Sequence, residues 1–206
     1  MGRKWLRERR KDYYYKLAKK EHYRSRAAYK LLFIQEKYGI IKHGDVVVDL
    51  GCAPGGWLQV ARELCGAEGK VFGIDLQEIE PLEGVVFIRG NFMNPSTQEK
   101  LRSAIFEHTG RKDVDVVISD MSPNISGNYS TDHARSIELV TMAFEFACTV
   151  LSLNGNFVAK VFMGDLYDSL LDKIKERFAF VKSYKSMASR KSSSEIYVIC
   201  KGYEIF

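Results

Sequence analysis

Apolar residues along this chain fall into short unbroken runs, which alternate with longer segments where they recur every three or four positions. Runs of five to seven residues rich in Val, Ile and Phe are typical of strands buried on both faces of a sheet. The intervening segments have the spacing of amphipathic helices. The pattern predicts strands at 46–50, 70–75, 85–89, 114–119, 156–162, 178–185 and 196–201. It predicts helices at 26–38, capped by Ser25, and at 57–65, 96–108, 132–151 and 166–177.

The order of these elements predicts the fold class. Strands that alternate with helices indicate an α/β fold, with a mostly parallel seven-stranded sheet and helices on both faces. The last two strands are joined by a short polar loop, so we expect the last strand to run antiparallel. The sequence shows no repeat and no linker. We therefore predict one compact unit, in which a basic N-terminal extension and helix (1–43) precede the main domain (44–206).

Composition narrows the class of protein. A hydrophobic content of 46% and a charged content of 28% are typical of a globular protein. No apolar run approaches the roughly 20 residues that a membrane-spanning helix needs, so we expect a soluble, cytoplasmic protein. We also expect the protein to act as a monomer. The cysteines and histidines are scattered, without the spacing of a disulfide framework or a metal site.

Charge is distributed unevenly along the chain. Residues 1–43 contain 14 Lys and Arg against 4 Asp and Glu, a balance of +10, whereas the remainder carries −5. Cations interleaved with aromatic rings are suited to neutralising phosphates and stacking on the bases of RNA. A solvated basic helix whose tyrosines pack on the core is an equally good interpretation of composition alone. The aromatic residues of this segment are Trp5, Tyr13, Tyr14, Tyr15, Tyr23 and Tyr29.

The loop that follows the first predicted strand favours a nucleoside-containing cofactor. It reads Gly51-Cys-Ala-Pro-Gly-Gly56, and glycines let a backbone approach a ligand closely. Asp75 ends the next strand, where an acid can accept both hydroxyls of an adenosine ribose. Trp57-Leu58 replaces the Lys-Ser or Lys-Thr of a phosphate-binding loop, and the glycine spacing is not that of a dinucleotide site. A tight turn without a ligand is the remaining alternative. S-adenosylmethionine suits the loop best, because it has a ribose and an adenine but no pyrophosphate.

Four charged residues are candidates for catalysis. Asp120 ends the fourth strand, Lys160 lies near the end of the fifth, and Glu195 opens the antiparallel last strand, so all three are expected at one edge of the sheet. Lys30 lies in the helix that precedes the sheet. A lysine within an apolar strand is costly to bury without a partner. The alternatives to a catalytic role are an amine that reaches solvent and a structural ion pair with Asp120.

Four motifs occur in order along the chain: Tyr23-Arg-Ser-Arg-Ala-Ala-Tyr-Lys-Leu31, Val48-Asp-Leu-Gly-Cys-Ala-Pro-Gly-Gly-Trp57, Ser119-Asp-Met-Ser-Pro-Asn-Ile-Ser-Gly127 and Val158-Ala-Lys-Val-Phe162. In these motifs, and along nearly its whole length, the chain resembles the FtsJ/RrmJ family of ribose 2′-O-methyltransferases. The resemblance implies a Rossmann-like methyltransferase fold that binds S-adenosyl-L-methionine. It also implies a catalytic set of Lys30, Asp120, Lys160 and Glu195, and cofactor contacts at Gly55, Trp57, Asp75 and Asp120. The family usually has an acid near the adenine where this chain has Asn91, whose amide oxygen can still accept a hydrogen bond.

The resemblance implies methylation of a ribose 2′-hydroxyl in RNA, with a uridine of large-subunit ribosomal RNA as the expected target. The anticodon loop of transfer RNA and the messenger cap are methylated by relatives and remain alternatives. A ribosome-assembly protein that binds RNA without catalysis is an alternative from a different class. A small-molecule methyltransferase would not need the basic extension.

Overall fold

The computed structural model describes residues 13–189 and 193–204. Residues 1–12, which include Trp5 and much of the predicted basic extension, lie outside the described residues. The division of the chain at residue 43 therefore stays a prediction.

Seven strands of the described chain form one sheet in the order β3-β2-β1-β4-β5-β7-β6. The pairs among β1 to β5 are parallel, and β7 runs antiparallel to both β5 and β6. The predicted fold class, including the direction of the last strand, is confirmed. The strands are β1 (Val46–Leu50), β2 (Lys70–Asp75), β3 (Val85–Arg89), β4 (Val114–Ser119), β5 (Leu151–Phe162), β6 (Phe178–Tyr184) and β7 (Glu195–Tyr203).

Helices connect the strands close to the predicted positions. They are α1 (Ala28–Tyr38), α2 (Gly56–Cys65), α3 (Pro95–Thr109), α4 (Tyr129–Val150) and α5 (Tyr167–Lys175), and residues 13–20 are also helical.

Several predicted boundaries differ from the structure, and three of the displaced starts have a clear local reason. Helix α1 starts at Ala28 because the Ser25 hydroxyl accepts a hydrogen bond from Ala27 N inside a preceding turn. Helix α4 starts at Tyr129, because the Asn128 side chain accepts from Thr131 N and caps it. Strand β5 starts at Leu151, since that residue already pairs with Val114 before the register shifts.

The sheet separates two apolar layers. On one face, Ile34 of α1 and Leu58 of α2 pack against alternate strand residues such as Val47 and Val158. On the other face, α3, α4 and α5 cover the intervening strand residues. Burial on both faces explains why the strands are unbroken apolar runs. Because side chains alternate along a strand, Asp49 and Lys160 project toward the face that carries α1 and α2.

Across residues 13–189 and 193–204, the helices are too short or too polar to traverse a lipid bilayer.

Candidate active site

The loop from Gly51 to Gly56 joins β1 to α2 at the carboxyl edge of the sheet. Gly55 has φ +106°, a conformation that side-chain-bearing residues rarely adopt. A Cβ atom there would also lie 2.9 Å from the Arg24 guanidinium. Arg24 donates to the carbonyl oxygens of Glu80 at 2.7 Å and Pro81 at 2.8 Å, so it links the segment before α1 to the β2–β3 loop. Glycine is therefore needed for the backbone to turn beneath this side chain.

Asp75 is bound to the same loop. Its Oδ2 accepts a hydrogen bond from Ala53 N at 2.8 Å, and its Oδ1 accepts from Gln77 N at 2.8 Å. Each carboxylate oxygen keeps a free lone-pair direction after one such bond. Asp75 therefore fixes the shape of the loop and can still accept hydrogen bonds from a ribose.

Asn91 follows β3, and β2 lies between β3 and β1, the strand that leads into the glycine loop. Its side chain is exposed and its Oδ1 accepts from Met93 N at 2.9 Å. The structure therefore places Asn91 apart from the charged cluster described below, and its contact with an adenine stays a prediction.

Asp49 is the least satisfied polar residue near this loop. Its side chain is 1% exposed, and within the described part of the chain neither carboxylate oxygen has a hydrogen-bond partner. Burial, followed by the charges of Asp120 and Asp75, raises the pKa of Asp49 well above its usual value. Such a group is costly unless something pairs with it.

Asp49 lines a cavity of about 50 Å³, whose walls also include Gly51, Trp57 and Asp120. Trp57 is held in place because its indole N–H donates to Ala27 O at 2.8 Å. At Ala53 and Pro54 the cavity adjoins an open groove of about 650 Å³, which the β2–β3 loop and Arg24 line. Asp49 therefore lines a cavity that shares two wall residues with a surface groove.

The four predicted catalytic side chains meet in one cluster. Lys30 Nζ lies 2.7 Å from Glu195 Oε1 and 3.7 Å from Asp120 Oδ1. Lys160 Nζ lies 3.2 Å from Asp120 Oδ1 and donates to the main-chain oxygen of Asp120 at 2.6 Å. Both lysines are buried, at 8% and 7% exposure. The alternative in which Lys160 reaches solvent is therefore wrong, whereas an ion pair with Asp120 is present.

Tyr197 is a member of the cluster that the sequence did not single out. Its hydroxyl donates to Asp120 Oδ1 at 2.7 Å and lies 3.3 Å from Glu195 Oε1. Its ring packs against Trp57 with centroids 5.8 Å apart. A tyrosine in an apolar strand is usually a core residue, so only its position two residues after Glu195, on the same face of β7, signalled a role.

The protonation of the cluster follows from its contacts. Burial raises the pKa of Glu195, but the ammonium of Lys30 and the Ser189 hydroxyl outweigh it, so the pKa is lowered overall. Glu195 is therefore ionised at neutral pH. Burial, together with the charges of Asp120 and Glu195, raises the pKa of Tyr197 well above its usual value. Tyr197 consequently keeps its single hydroxyl proton, which it donates to Asp120 Oδ1.

These features define the class of protein: a Rossmann-like α/β enzyme whose charged cluster adjoins a ligand pocket at the carboxyl edge of its sheet. The family model described as FtsJ-like methyltransferase matches residues 23–203. The chain belongs to the FtsJ-like methyltransferase family, and the family expected from the sequence motifs is confirmed.

The names of similar proteins are consistent with this family. The protein of Methanocella arvoryzae named Ribosomal RNA large subunit methyltransferase E is 53% identical over 195 residues, covering 95% of this chain and 73% of that protein. The protein of Methanocaldococcus jannaschii with the same name is 53% identical over 208 residues, covering 98% and 84%.

Solved structures also match. A crystal structure titled as a ribosomal RNA methyltransferase from Plasmodium falciparum is 32% identical with a TM-score of 0.79, covering 88% of this chain and 98% of that one. A structure titled as an rRNA methylase from Clostridium thermocellum is 20% identical with a TM-score of 0.54, covering 84% and 97%, and shows the shared fold alone.

Proposed function

We propose that this protein transfers a methyl group from S-adenosyl-L-methionine to a ribose 2′-hydroxyl in large-subunit ribosomal RNA. The observation that carries the proposal is the cluster of Lys30, Asp120, Lys160 and Glu195 beside the pocket that Asp49 lines. Two buried ammonium groups held by two carboxylates are suited to positioning a neutral hydroxyl and stabilising the oxyanion that develops on it.

The residues present fit a cofactor that has both a nucleoside and an amino-acid part. Asp49 offers a buried, unpartnered carboxylate to an amino group. Asp75 offers acceptor positions to ribose hydroxyls, Asn91 offers an amide at the next strand end, and Gly55 and Trp57 shape the loop between them. When bound, S-adenosyl-L-methionine supplies a methyl group that is already electrophilic.

The remaining task falls to the protein, because a ribose hydroxyl keeps its proton at neutral pH. In our proposal, the ammonium of Lys160 binds the hydroxyl oxygen and stabilises the negative charge that develops on it. The hydroxyl proton passes to solvent while the oxygen takes the methyl group, so an O–H bond is exchanged for an O–CH3 bond. Asp120 orients Lys160 through its main-chain oxygen and its carboxylate. Asp120 Oδ1 also accepts from Tyr197 and lies 3.7 Å from the Lys30 ammonium, so its charge is shared with these two groups and neutralises Lys160 only in part.

Glu195 and Lys30 complete this arrangement in our proposal. Glu195 Oε1 accepts from Lys30 and from the Ser189 hydroxyl, which fixes the carboxylate. Lys30 is thereby held at the mouth of the cluster, where its ammonium can contact the ribose or an adjacent phosphate. Glu195 acts on the reaction through Lys30 rather than by touching the substrate.

The substrate class rests on two observations. The named relatives at 53% identity are large-subunit ribosomal RNA methyltransferases, and residues 1–43 carry a charge of +10. A basic segment with aromatic residues supplies salt-dependent affinity for RNA. We propose that this segment binds the RNA while the 44–206 domain performs the transfer, in a monomer that works in the cytoplasm where ribosomal subunits are assembled.

The proposal is tested by incubating the purified protein with S-adenosylmethionine labelled in its methyl group. One sample contains large ribosomal subunits from cells that lack this enzyme, and another contains total transfer RNA. We expect label in the subunit RNA, in dinucleotides that resist alkaline hydrolysis because the 2′-hydroxyl is blocked. Label in transfer RNA alone would identify the other substrate class. Absence of label in both, from protein that binds the cofactor by calorimetry, would favour the non-catalytic assembly protein.

A further inference from the structure

Tyr129, the first residue of α4, presents an aromatic ring at the rim of the sheet. The residue is 60% exposed, although a tyrosine ring gains free energy when it is buried. Its hydroxyl donates to the main-chain oxygen of Met163 at 2.6 Å. The ring is thus anchored at its polar end while it remains open to solvent.

His133 supports one face of this ring. The two rings are nearly parallel, at 14° with centroids 6.4 Å apart. His133 is itself 5% exposed and held at both nitrogens, because Nδ1 bonds to Phe162 O at 2.9 Å and Nε2 accepts from Leu166 N at 3.1 Å. Tyr129 is therefore fixed in orientation.

The hydrogen bond to Met163 places the Tyr129 ring near the carboxyl end of β5, the strand that carries Lys160. Met163 directly follows β5, and its N–H donates to Ser194 O at 2.9 Å. Phe162 lies opposite Glu195 in the β5–β7 register. Met163 is three residues beyond Lys160, a distance of about 10 Å along an extended strand. At the rise of roughly 3.4 Å per nucleotide of a stacked strand, that distance corresponds to about three nucleotides, and it corresponds to fewer where the bases are splayed apart.

We propose that Tyr129 stacks on a nucleobase of the RNA, within about three nucleotides of the ribose that is methylated. This inference rests on the function proposed above. Single-stranded RNA is bound by exposed aromatic rings on which unstacked bases lie. A ring that is already fixed loses little conformational entropy when a base binds. The exposed side chains of Met163 and Leu166, in the segment that Tyr129 and His133 hold, extend the apolar surface for that base.

The test compares Tyr129→Ala, Tyr129→Phe and the control Phe106→Ala in the methyl-transfer assay with large ribosomal subunits. Phe106 is 52% exposed on α3 and belongs to no part of the site. We expect Tyr129→Ala to raise the KM for the subunits about tenfold, as for the loss of one stacked base. The kcat and the Kd for S-adenosylmethionine should remain near the wild-type values. Tyr129→Phe keeps the ring, so its KM should stay close to wild type, as should that of the control.

Each contrary result has a separate meaning. An unchanged KM for Tyr129→Ala would refute the stacking role. Equal defects in Tyr129→Phe and Tyr129→Ala would assign the effect to the hydrogen bond with Met163. A weaker binding of the cofactor by Tyr129→Ala would assign the effect to a distorted pocket. Either result would refute the stacking role. If the wild-type protein methylates no RNA, the proposed function fails and this inference fails with it. Methylation by the wild type combined with an unchanged mutant KM refutes the inference alone.

Discussion

Charged side chains are fully paired at the amino edge of the sheet and only partly paired at its carboxyl edge. At the amino edge, Arg111 binds Asp115 through two hydrogen bonds of 2.8 and 2.9 Å, and Asp115 also accepts from Val46 N at 2.8 Å. Burial alone raises the pKa of Asp115, but the hydrogen bonds from Arg111 and Val46 outweigh it and hold the pKa below its usual value. Folding has therefore partnered these charges completely.

At the carboxyl edge, the charges are crowded and only partly satisfied. Asp120 Oδ1 interacts with Tyr197 and with two lysine ammonium groups, and Asp49 has no hydrogen-bond partner in the described chain. Charges that folding leaves unpaired are typical of sites where a ligand provides the missing partner. The charged residues of the amino edge therefore stabilise the fold, whereas those of the carboxyl edge lower its stability and remain available to bind a ligand.

The variant Lys160→Ala is expected to have the largest effect, and it tests whether the carboxyl-edge cluster is catalytic. If the carboxyl-edge cluster stabilises a developing oxyanion, this variant should lose about 10²–10³-fold in kcat, as for the loss of one such donor. The Kd for S-adenosylmethionine should remain near wild type, because Lys160 is not assigned to the cofactor. Steady-state kinetics and calorimetry measure the two quantities. Lys182→Ala, an exposed lysine of β6, is the matched control. A kcat close to wild type would remove Lys160 from the mechanism.

Asp49→Asn should act on binding and stability in opposite directions. Loss of the carboxylate should weaken S-adenosylmethionine binding by about tenfold or more, since a charge-assisted hydrogen bond contributes about 1.5–3 kcal/mol. The ligand-free variant should nevertheless be more stable at pH 7, by on the order of 1–2 kcal/mol, because burial penalises the ionised form of Asp49 and Asn carries no charge.

The sign of the pH dependence follows from the raised pKa of Asp49. A carboxyl with a higher pKa in the folded state costs no stability below its unfolded pKa of about 3.9, and costs progressively more as the pH rises above it. The stabilisation by Asp49→Asn should therefore shrink as the pH falls toward 4. Urea unfolding of the ligand-free proteins at pH 4.5, 6 and 7.5 measures it. A variant that is less stable than wild type at pH 7.5 would contradict the unpaired state of Asp49.

Asp115→Asn should give the smallest effect and the opposite sign. It removes the ion pair with Arg111, and solvent around the Arg111 side chain, which is 39% exposed, limits the cost to about 1 kcal/mol at pH 7. Because the pKa of Asp115 is lowered by folding, its contribution is present above pH 4 and is lost as the pH falls below that value. The urea midpoint measures the loss, and kcat should not change. A large fall in kcat for correctly folded Asp115→Asn would show that the two edges are not independent.

Much of the fold could be predicted from the sequence, because a strand buried on both faces gives an unbroken apolar run. Strands β1, β2, β3 and β4 begin and end at the predicted residues. The start of β5 was missed, since Asn154 adopts a positive φ of 64° and resembles the turn between two elements. The start of α4 was missed because its first turn carries polar residues, which are as frequent in loops.

The sequence by itself determined the strands, the glycine loop and the residues of the family motifs, since each is encoded by neighbours in the chain. It also placed Asp120, Lys160 and Glu195 at one edge, because strand direction dictates where the end of a strand lies. Only the tertiary structure decided which oxygen each lysine contacts, that Tyr197 joins them, and that Asp49 has no partner in the described chain. Those features depend on how β7 inserts between β5 and β6 and how α1 packs across the strand ends. Contacts between residues far apart in the chain, such as 40 positions for Lys160 and Asp120 or 77 for Tyr197 and Asp120, leave no periodic signal in a single sequence.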